Sequence, residues 1–162
     1  MLIGVTGDTH NNLKNINKIC AIFNEKNTDL VFHTGDISLP KSLSAFKQLN
    51  CPLTVVLGNN DIEERYGLEE TAKSFDCKIY DEPFSVELNS IKISVFHHPD
   101  LIQVKTFQDN DLILHGHTHR YRLEKIHNCT VFNPGECAGF MRDKNQIGII
   151  DLEILKPKII NF

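Results

Sequence analysis

The sequence predicts an α/β sandwich: two packed, mixed β-sheets with flanking helices, in a single domain over residues 1–162. Three observations carry that expectation. Short apolar runs alternate with a helix-period segment through the first third of the chain, the pattern of parallel β-α-β units. A hairpin signal then interrupts the alternation, and the remainder is rich in strands. The 162 residues are 41% hydrophobic and 23% charged, enough to bury a core and too apolar for disorder.

The elements follow in order. Leu2–Thr6 is an apolar run of buried-strand length. Leu13, Ile16, Ile19, Cys20 and Phe23 recur at helical spacing, so 13–26 reads as an amphipathic helix, with Asn11 or Asn12 at its cap. Leu30-Val31-Phe32 is the second strand. Leu43, Phe46 and Leu49 mark a short helix after Pro40, and Leu53–Leu57 is the third strand. Phe84–Leu88 and Ile91–Phe96 flank Asn89-Ser90 as a β-hairpin. A short helix near 102–108 precedes a strand at Leu112–Leu114. Val131-Phe132, Ile147–Leu152 and Lys158–Ile160 complete the strands. Strand order stays open, because pairing is non-local.

Composition narrows the function. The net charge of −4, with no basic, aromatic-rich stretch, argues against a long nucleic-acid footprint. No stretch approaches the roughly 20 apolar residues of a membrane helix. The N-terminal apolar run is too short for a signal peptide and has no basic leader, so a cytoplasmic protein is expected. The five cysteines, Cys20, Cys51, Cys77, Cys129 and Cys137, are odd in number and widely spaced, which predicts free thiols rather than disulfides or a zinc knuckle. Eight histidines are the unusual count.

Sorted by position, those histidines fall at strand ends. The first strand runs into Gly7-Asp8-Thr9-His10, the second into His33-Thr34-Gly35-Asp36, and the third into Gly58-Asn59-Asn60-Asp61. The hairpin runs into His97-His98, and the strand at 112–114 into His115-Gly116-His117-Thr118-His119. Ligands of open α/β sheets bind beyond the carboxyl ends of the strands, so these distant clusters are expected to converge. The glycines allow tight turns and close backbone approach there. Asp8, Asp36 and Asn59 offer oxygen; His10, His97, His117 and His119 offer imidazole nitrogen. Mixed N and O donors without thiolate suit Mn, Fe, Ni or Zn. Seven side chains exceed the needs of one tetrahedral ion and match two ions sharing a carboxylate, the usual device for phosphoryl displacement.

In this order the clusters resemble the calcineurin-like metallophosphoesterase superfamily, whose pattern is D-x-H, G-D, G-N-(H/C/N)-D, a strand-end H, and G-H-x-H. The compact length and Phe132-Asn133-Pro134-Gly135 resemble its small YfcE-like phosphodiesterase branch. The resemblance implies a four-layer sandwich and a phosphodiesterase with two divalent ions, Mn first and Ni, Fe or Zn as alternatives. It also implies a metal-bridging hydroxide as nucleophile and a small phosphodiester as substrate. The first metal would take Asp8, His10, Asp36 and His119; the second would take Asp36, Asn59, His97 and His117, with Asp36 bridging. The branch also implies a possible homo-oligomer. It includes a retromer subunit that serves as a protein-binding scaffold, the alternative function; that reading predicts substituted ligands, and none is substituted here.

Three departures from the family pattern stand out. Asn60 occupies a position where many members carry His; Asn cannot act as a general acid but can donate a hydrogen bond to a phosphate oxygen. Asp61 is then left to brace its loop. His98 stands where the family usually has Gly, and is a substrate contact, a proton donor or an exposed imidazole. Without a dedicated acid, activity should favour esters with acidic leaving groups. Glu136 follows Pro134-Gly135 where many relatives have Ser. Among the remaining residues, His33 is expected to be packed, His115 to orient a ligand, and His127 to lie in a solvent-facing turn. Arg142 reaches a phosphate or is a solvated surface residue.

Overall fold

The computed structural model describes residues Met1–Phe162. Eleven strands form two sheets. Strands β1 (Leu2–Thr6), β2 (Leu30–His33), β3 (Leu53–Val56) and β4 (Cys77–Tyr80) pair in parallel in that order. Antiparallel β10 (Gln146–Asp151) and β11 (Lys156–Asn161) extend this first sheet beyond β1. The second sheet has the order β5 (Phe84–Leu88), β6 (Ile91–Val95), β7 (Leu112–Leu114), β9 (Cys129–Asn133), β8 (Arg122–Ile126). Its central three strands are parallel and its two edges antiparallel.

Helices α1 (Leu13–Glu25), α2 (Pro40–Ala45) and α3 (Arg65–Ala72) cover the outer face of the first sheet. Ile16, Ile19, Cys20 and Phe23 of α1 pack there with Val31, Leu53 and Val55. The inner faces of both sheets meet through Ile3, Val5, Phe32, Val56, Val95, Leu114 and Phe132. Phe107 of α4 (Val104–Asp109) packs on Ile113 and Val131 outside the second sheet, completing four layers. At about 25 cal/mol per Å² of apolar surface, these two faces of the first sheet supply most of the driving force for folding.

Asn12 is the α1 cap: its Oδ1 accepts from the Asn15 N–H at 3.1 Å. The expected helix after Pro40 is α-helical only to Ala45 and continues as a 3₁₀ turn over Phe46–Gln48. Three elements were not expected. Helix α3 buries only Leu68 and Ala72, too narrow a stripe to register as periodicity. Strands β4 and β8 are sheet edges with no fully buried residue, so neither shows an apolar run. All five thiols are free. No helix is long and apolar enough to cross a membrane.

This topology positions the site. Strands β1, β2 and β3 of one sheet and β6 and β7 of the other end where Asp8, Asp36, Asn59, His97, His117 and His119 begin. Neighbouring loops are tied within each sheet, Asp8 N–H donating to Gly35 O at 2.8 Å, His10 N–H to Asp36 O at 2.8 Å, and Gly116 N–H to His97 O at 3.2 Å, and across the sheets by His117 N–H to Asp8 Oδ2 at 2.9 Å.

Candidate metal centre

All seven expected ligands come together at this end of the sandwich. His10 Nε2 lies 3.3 Å from His119 Nε2, and His119 Nε2 lies 3.9 Å from Asp8 Oδ1. His97 Nε2 lies 3.0 Å from Asn59 Oδ1, 3.5 Å from Asp36 Oδ1 and 3.2 Å from His117 Nδ1. Donor atoms of Asp8, His10 and His119 all lie within 4.8 Å of one another, as do those of Asp8, Asp36 and His97.

The proton inventory of these contacts is informative. His97 Nδ1–H donates to the Thr34 carbonyl at 2.8 Å, leaving Nε2 as a bare lone pair. That lone pair faces the Asn59 carbonyl oxygen and the Asp36 carboxylate, neither of which has a proton to give. His119 Nδ1–H donates to Glu136 Oε2 at 2.5 Å, so its Nε2 lone pair faces His10. His10 in turn has Nδ1 on Ser38 Oγ at 3.3 Å. Ring nitrogens and carbonyl or carboxylate oxygens therefore crowd together in both halves of the site, His119 Nε2 with His10 Nε2 and His97 Nε2 with Asn59 Oδ1, Asp36 Oδ1 and His117 Nδ1. With a lone pair available on each of these nitrogens and oxygens, the residues fit the divalent ions that the donor chemistry suggests.

The backbone is bent to the same end. Asp8, His10, Asp36, His117 and His119 all take positive φ, between 45° and 68°. Asp and His tolerate this region better than most residues, yet each such position costs on the order of 1 kcal/mol. Strain concentrated in five of seven clustered polar residues marks a functional site. Small residues make the room: a Cβ on Gly116 would lie 2.9 Å from Asp8 Oδ2, and one on Gly58 would collide with Asp36 Oδ1 and lie 2.8 Å from His97 Cε1.

Burial sets the protonation states. Burial, reinforced by the Asp36 charge, pushes the Asp8 carboxyl up to about 8. Burial also pushes Asp36 up, but His97 and the Asn60 hydrogen bonds outweigh it and hold the carboxyl below its ordinary value. Burial lowers His10 and His97, leaving neutral imidazoles suited to ligation. It likewise takes His33 down to about 3 and His115 to about 4.

A pH dependence follows for the metal-stripped protein. The unfolded chain protonates its histidines near 6.5, whereas folded His33 and His115 refuse protons until about 3 and about 4. Stability falls as the pH falls wherever the unfolded state binds more protons. Asp36, held low, acts in the same direction; Asp8 and Asp61, held high, oppose it, since their contribution is greatest at low pH. Four imidazoles outnumber two carboxyls between pH 6.5 and 4. The urea midpoint of chelator-treated protein should therefore drop across that window; a flat or rising midpoint would contradict these assignments.

The other singled-out residues separate clearly. Asn60 donates from both its backbone N–H and Nδ2 to Asp36, at 2.9 and 2.7 Å. Its amide is engaged by that carboxylate, where the sequence suggested a phosphate contact. Fully buried Asp61 braces the loops, accepting from the N–H groups of Asp36, Gly58 and Ser38 at 2.8, 2.8 and 2.7 Å. His98 is half-buried, with its ring centroid 4.4 Å from that of His117 and Nδ1 2.6 Å from Glu82 Oε1. His33 is packed edge-on to Phe46 and bonded to Thr9 Oγ1 at 2.9 Å. The hydrogen bonds of His115 go to Gly116 O, Asn133 and Arg122, so it orients no ligand directly. His127 is exposed, and Arg142 is solvated beside Asp143.

Sequence reasoning missed two supporting carboxylates. Glu82 accepts the N–H groups of both His97 and His98 at 2.7 and 2.8 Å. Glu136 was visible only as a departure from relatives, yet it is buried against His119. The one available signal was an acidic residue flanked by Pro-Gly and Cys-Ala, surroundings that favour burial.

Residues 1–154 match the sequence model of the calcineurin-like phosphoesterase superfamily domain. A phosphodiesterase of Methanocaldococcus jannaschii is 36% identical over 157 residues, covering 94% of each chain. A solved structure of an archaeal phosphodiesterase superposes with a TM-score of 0.92 at 34% identity, covering 100% of both chains. The E. coli phosphoesterase YfcE shares the fold, with a TM-score of 0.74 at 17% identity over 99% of each chain.

Proposed function

Because the chain belongs to the calcineurin-like phosphoesterase superfamily, we propose that it is a metal-dependent phosphodiesterase acting on small phosphodiesters. The observation that carries this reading is the pair of ligand-atom clusters, one around His10 and His119 and one around His97 and Asn59, in which His119 and His97 are each aligned by an acceptor on Nδ1. Asp8, His10, Asp36 and His119 would hold one ion, and Asp36, Asn59, His97 and His117 the other, with Asp36 shared. Two divalent ions held there, Mn first and Ni, Fe or Zn as alternatives, would supply Lewis-acid polarisation of a phosphate oxygen and a water activated for attack on phosphorus.

The chain's own residues do the rest. Gly58 and Gly116 let the carboxylates of Asp36 and Asp8 approach the neighbouring strand ends. Asn60 holds Asp36 in place and, exposed at the rim, serves as a hydrogen-bond donor and not as an acid. Glu82 accepts the Nδ1 proton of His98, and that ring, beside the cleft, would donate from Nε2 to a leaving group in its doubly protonated form. A cleft of about 260 Å³ beside His98, lined by Asn59, Ile62 and Glu82, suits a small ester group. Five free thiols fit the reducing cytoplasm. The scaffold alternative has no observation in its favour, since every ligand position keeps a metal-binding side chain.

The test pairs a synthetic phosphodiester with the matching monoester, each assayed with chelator and with added Mn, Ni, Mg or Zn. Diester turnover that disappears with chelator and returns with metal is expected. No metal-dependent turnover of either compound would sink the enzyme reading, and turnover of the monoester alone would reject the diesterase assignment.

A further inference from the structure

Beyond the ligands themselves, we propose that Glu136 is the positioning residue of the first-metal half, fixing His119 as a ligand through its Nδ1 proton; the inference rests on the metal-centre reading above. The Glu136 carboxylate is 1% exposed and has two partners. Oε2 takes the His119 Nδ1 proton at 2.5 Å. Oε1 accepts the Phe140 N–H at 2.9 Å. Imidazole has two tautomers, and only the one protonated at Nδ1 leaves Nε2 free toward His10 and Asp8. A carboxylate on the far nitrogen selects that tautomer, locks the ring plane and raises the basicity of the ligating nitrogen. Neither Ser nor a solvent molecule at this place would supply the charge.

The same carboxylate shapes the surface around the rings. Its second bond pins Phe140, which follows Gly139 in the left-handed region at φ 83°. The Phe140 ring rests on both imidazoles of this half, 5.1 Å from His10 and 5.4 Å from His119 between centroids. The backbone carrying Glu136 is itself anchored: Gln146 N–H donates to Glu136 O at 2.7 Å, Asn15 Nδ2 to Cys137 O at 2.7 Å, and Asn12 Nδ2 to Ala138 O at 2.6 Å. Glu136 is thus held rigidly enough to aim His119, as a supporting group for a metal ligand must be. Glu82 plays no equivalent part for the second half, because it binds His98 and backbone rather than the ring of His97.

The experiment uses the metal-stripped full chain titrated with Co²⁺, read by visible absorption and by metal content, alongside ¹⁵N-histidine spectra of the metal-free protein. Wild type should load two ions and show His119 protonated at Nδ1. Glu136→Ala should weaken one ion by about 10–100-fold, leave the other unchanged and mix the His119 tautomers. Glu136→Gln, which keeps an acceptor oxygen, should fall between the two. If Glu136→Ala does not fold, Glu136→Gln decides by the same readouts. Unchanged affinities and tautomer in the variants would overturn the role of Glu136 while leaving the metal centre intact. A wild-type protein that loads no ion would overturn the metal centre, and the inference with it. A purely structural role would lower the melting temperature without separating the two ion affinities.

Discussion

His117→Ala is expected to lower metal-dependent phosphodiester turnover by about 10³-fold or more, with the fold unchanged. Metal ions supply several kcal/mol of charge stabilisation in phosphoryl displacement, and each 1.36 kcal/mol is tenfold in rate. His117 is exposed, and the contact tying its segment to Asp8 uses the backbone N–H, at 2.9 Å to Oδ2. Removing the imidazole therefore deletes a donor 3.2 Å from His97 Nε2 and little else. Metal content should drop from two ions toward one. Asp36→Asn goes further, because Asp36 lies against donors of both halves: within 4.8 Å of Asp8 and His97 donors, and with its backbone carbonyl on the His10 N–H. It keeps the shape of the side chain and removes the charge, so metal content should fall below one ion. Circular dichroism, elemental analysis and the diester assay check both variants. Wild-type turnover in His117→Ala, or two ions retained in Asp36→Asn, would show the ligands to be misplaced.

The parts of this architecture that were legible in the sequence share a physical property. Strands β1, β2 and β3 are central and parallel, buried on both faces, so they read as apolar runs. Their polar exits were legible for the same reason: a sudden Asp or His after such a run has to sit at the sheet's end. Edge strands β4 and β8 and the narrow-faced α3 carry no comparable contrast. Strand order, including the insertion of β1 between β10 and β2, depends on pairings between residues 1–6 and 146–151 that no local pattern records. The supporting groups were hidden too. Glu82, Glu136 and Ser38 are single polar residues in loops, and their roles exist only once the chain has folded around His98, His119 and His10.

Asp61→Ala should produce the largest loss of stability. The Asp61 carboxylate is fully buried and accepts three backbone N–H groups, from Asp36, Gly58 and Ser38. Each buried donor left without a partner costs about 1–3 kcal/mol. Part of that is returned, because burial already penalises the Asp61 charge and pushes its carboxyl above the ordinary range. A net loss of about 3 kcal/mol is expected, read as a lower urea midpoint at unchanged slope. The same three bonds hold the backbone of Asp36 at φ 60° and Ser38 at φ 75°. Those conformations persist only where the surroundings over-determine them, so without Asp61 the turn relaxes and Asp36 leaves its place against His97. Metal content and diester turnover should then fall in conditions where the variant remains folded. Asp61→Asn retains oxygen for some of these donors but turns an N–H toward another, and should lie between the two. A variant Asp61→Ala that is as stable as wild type would mean that the loop, and not the carboxylate, sets the geometry of Asp36.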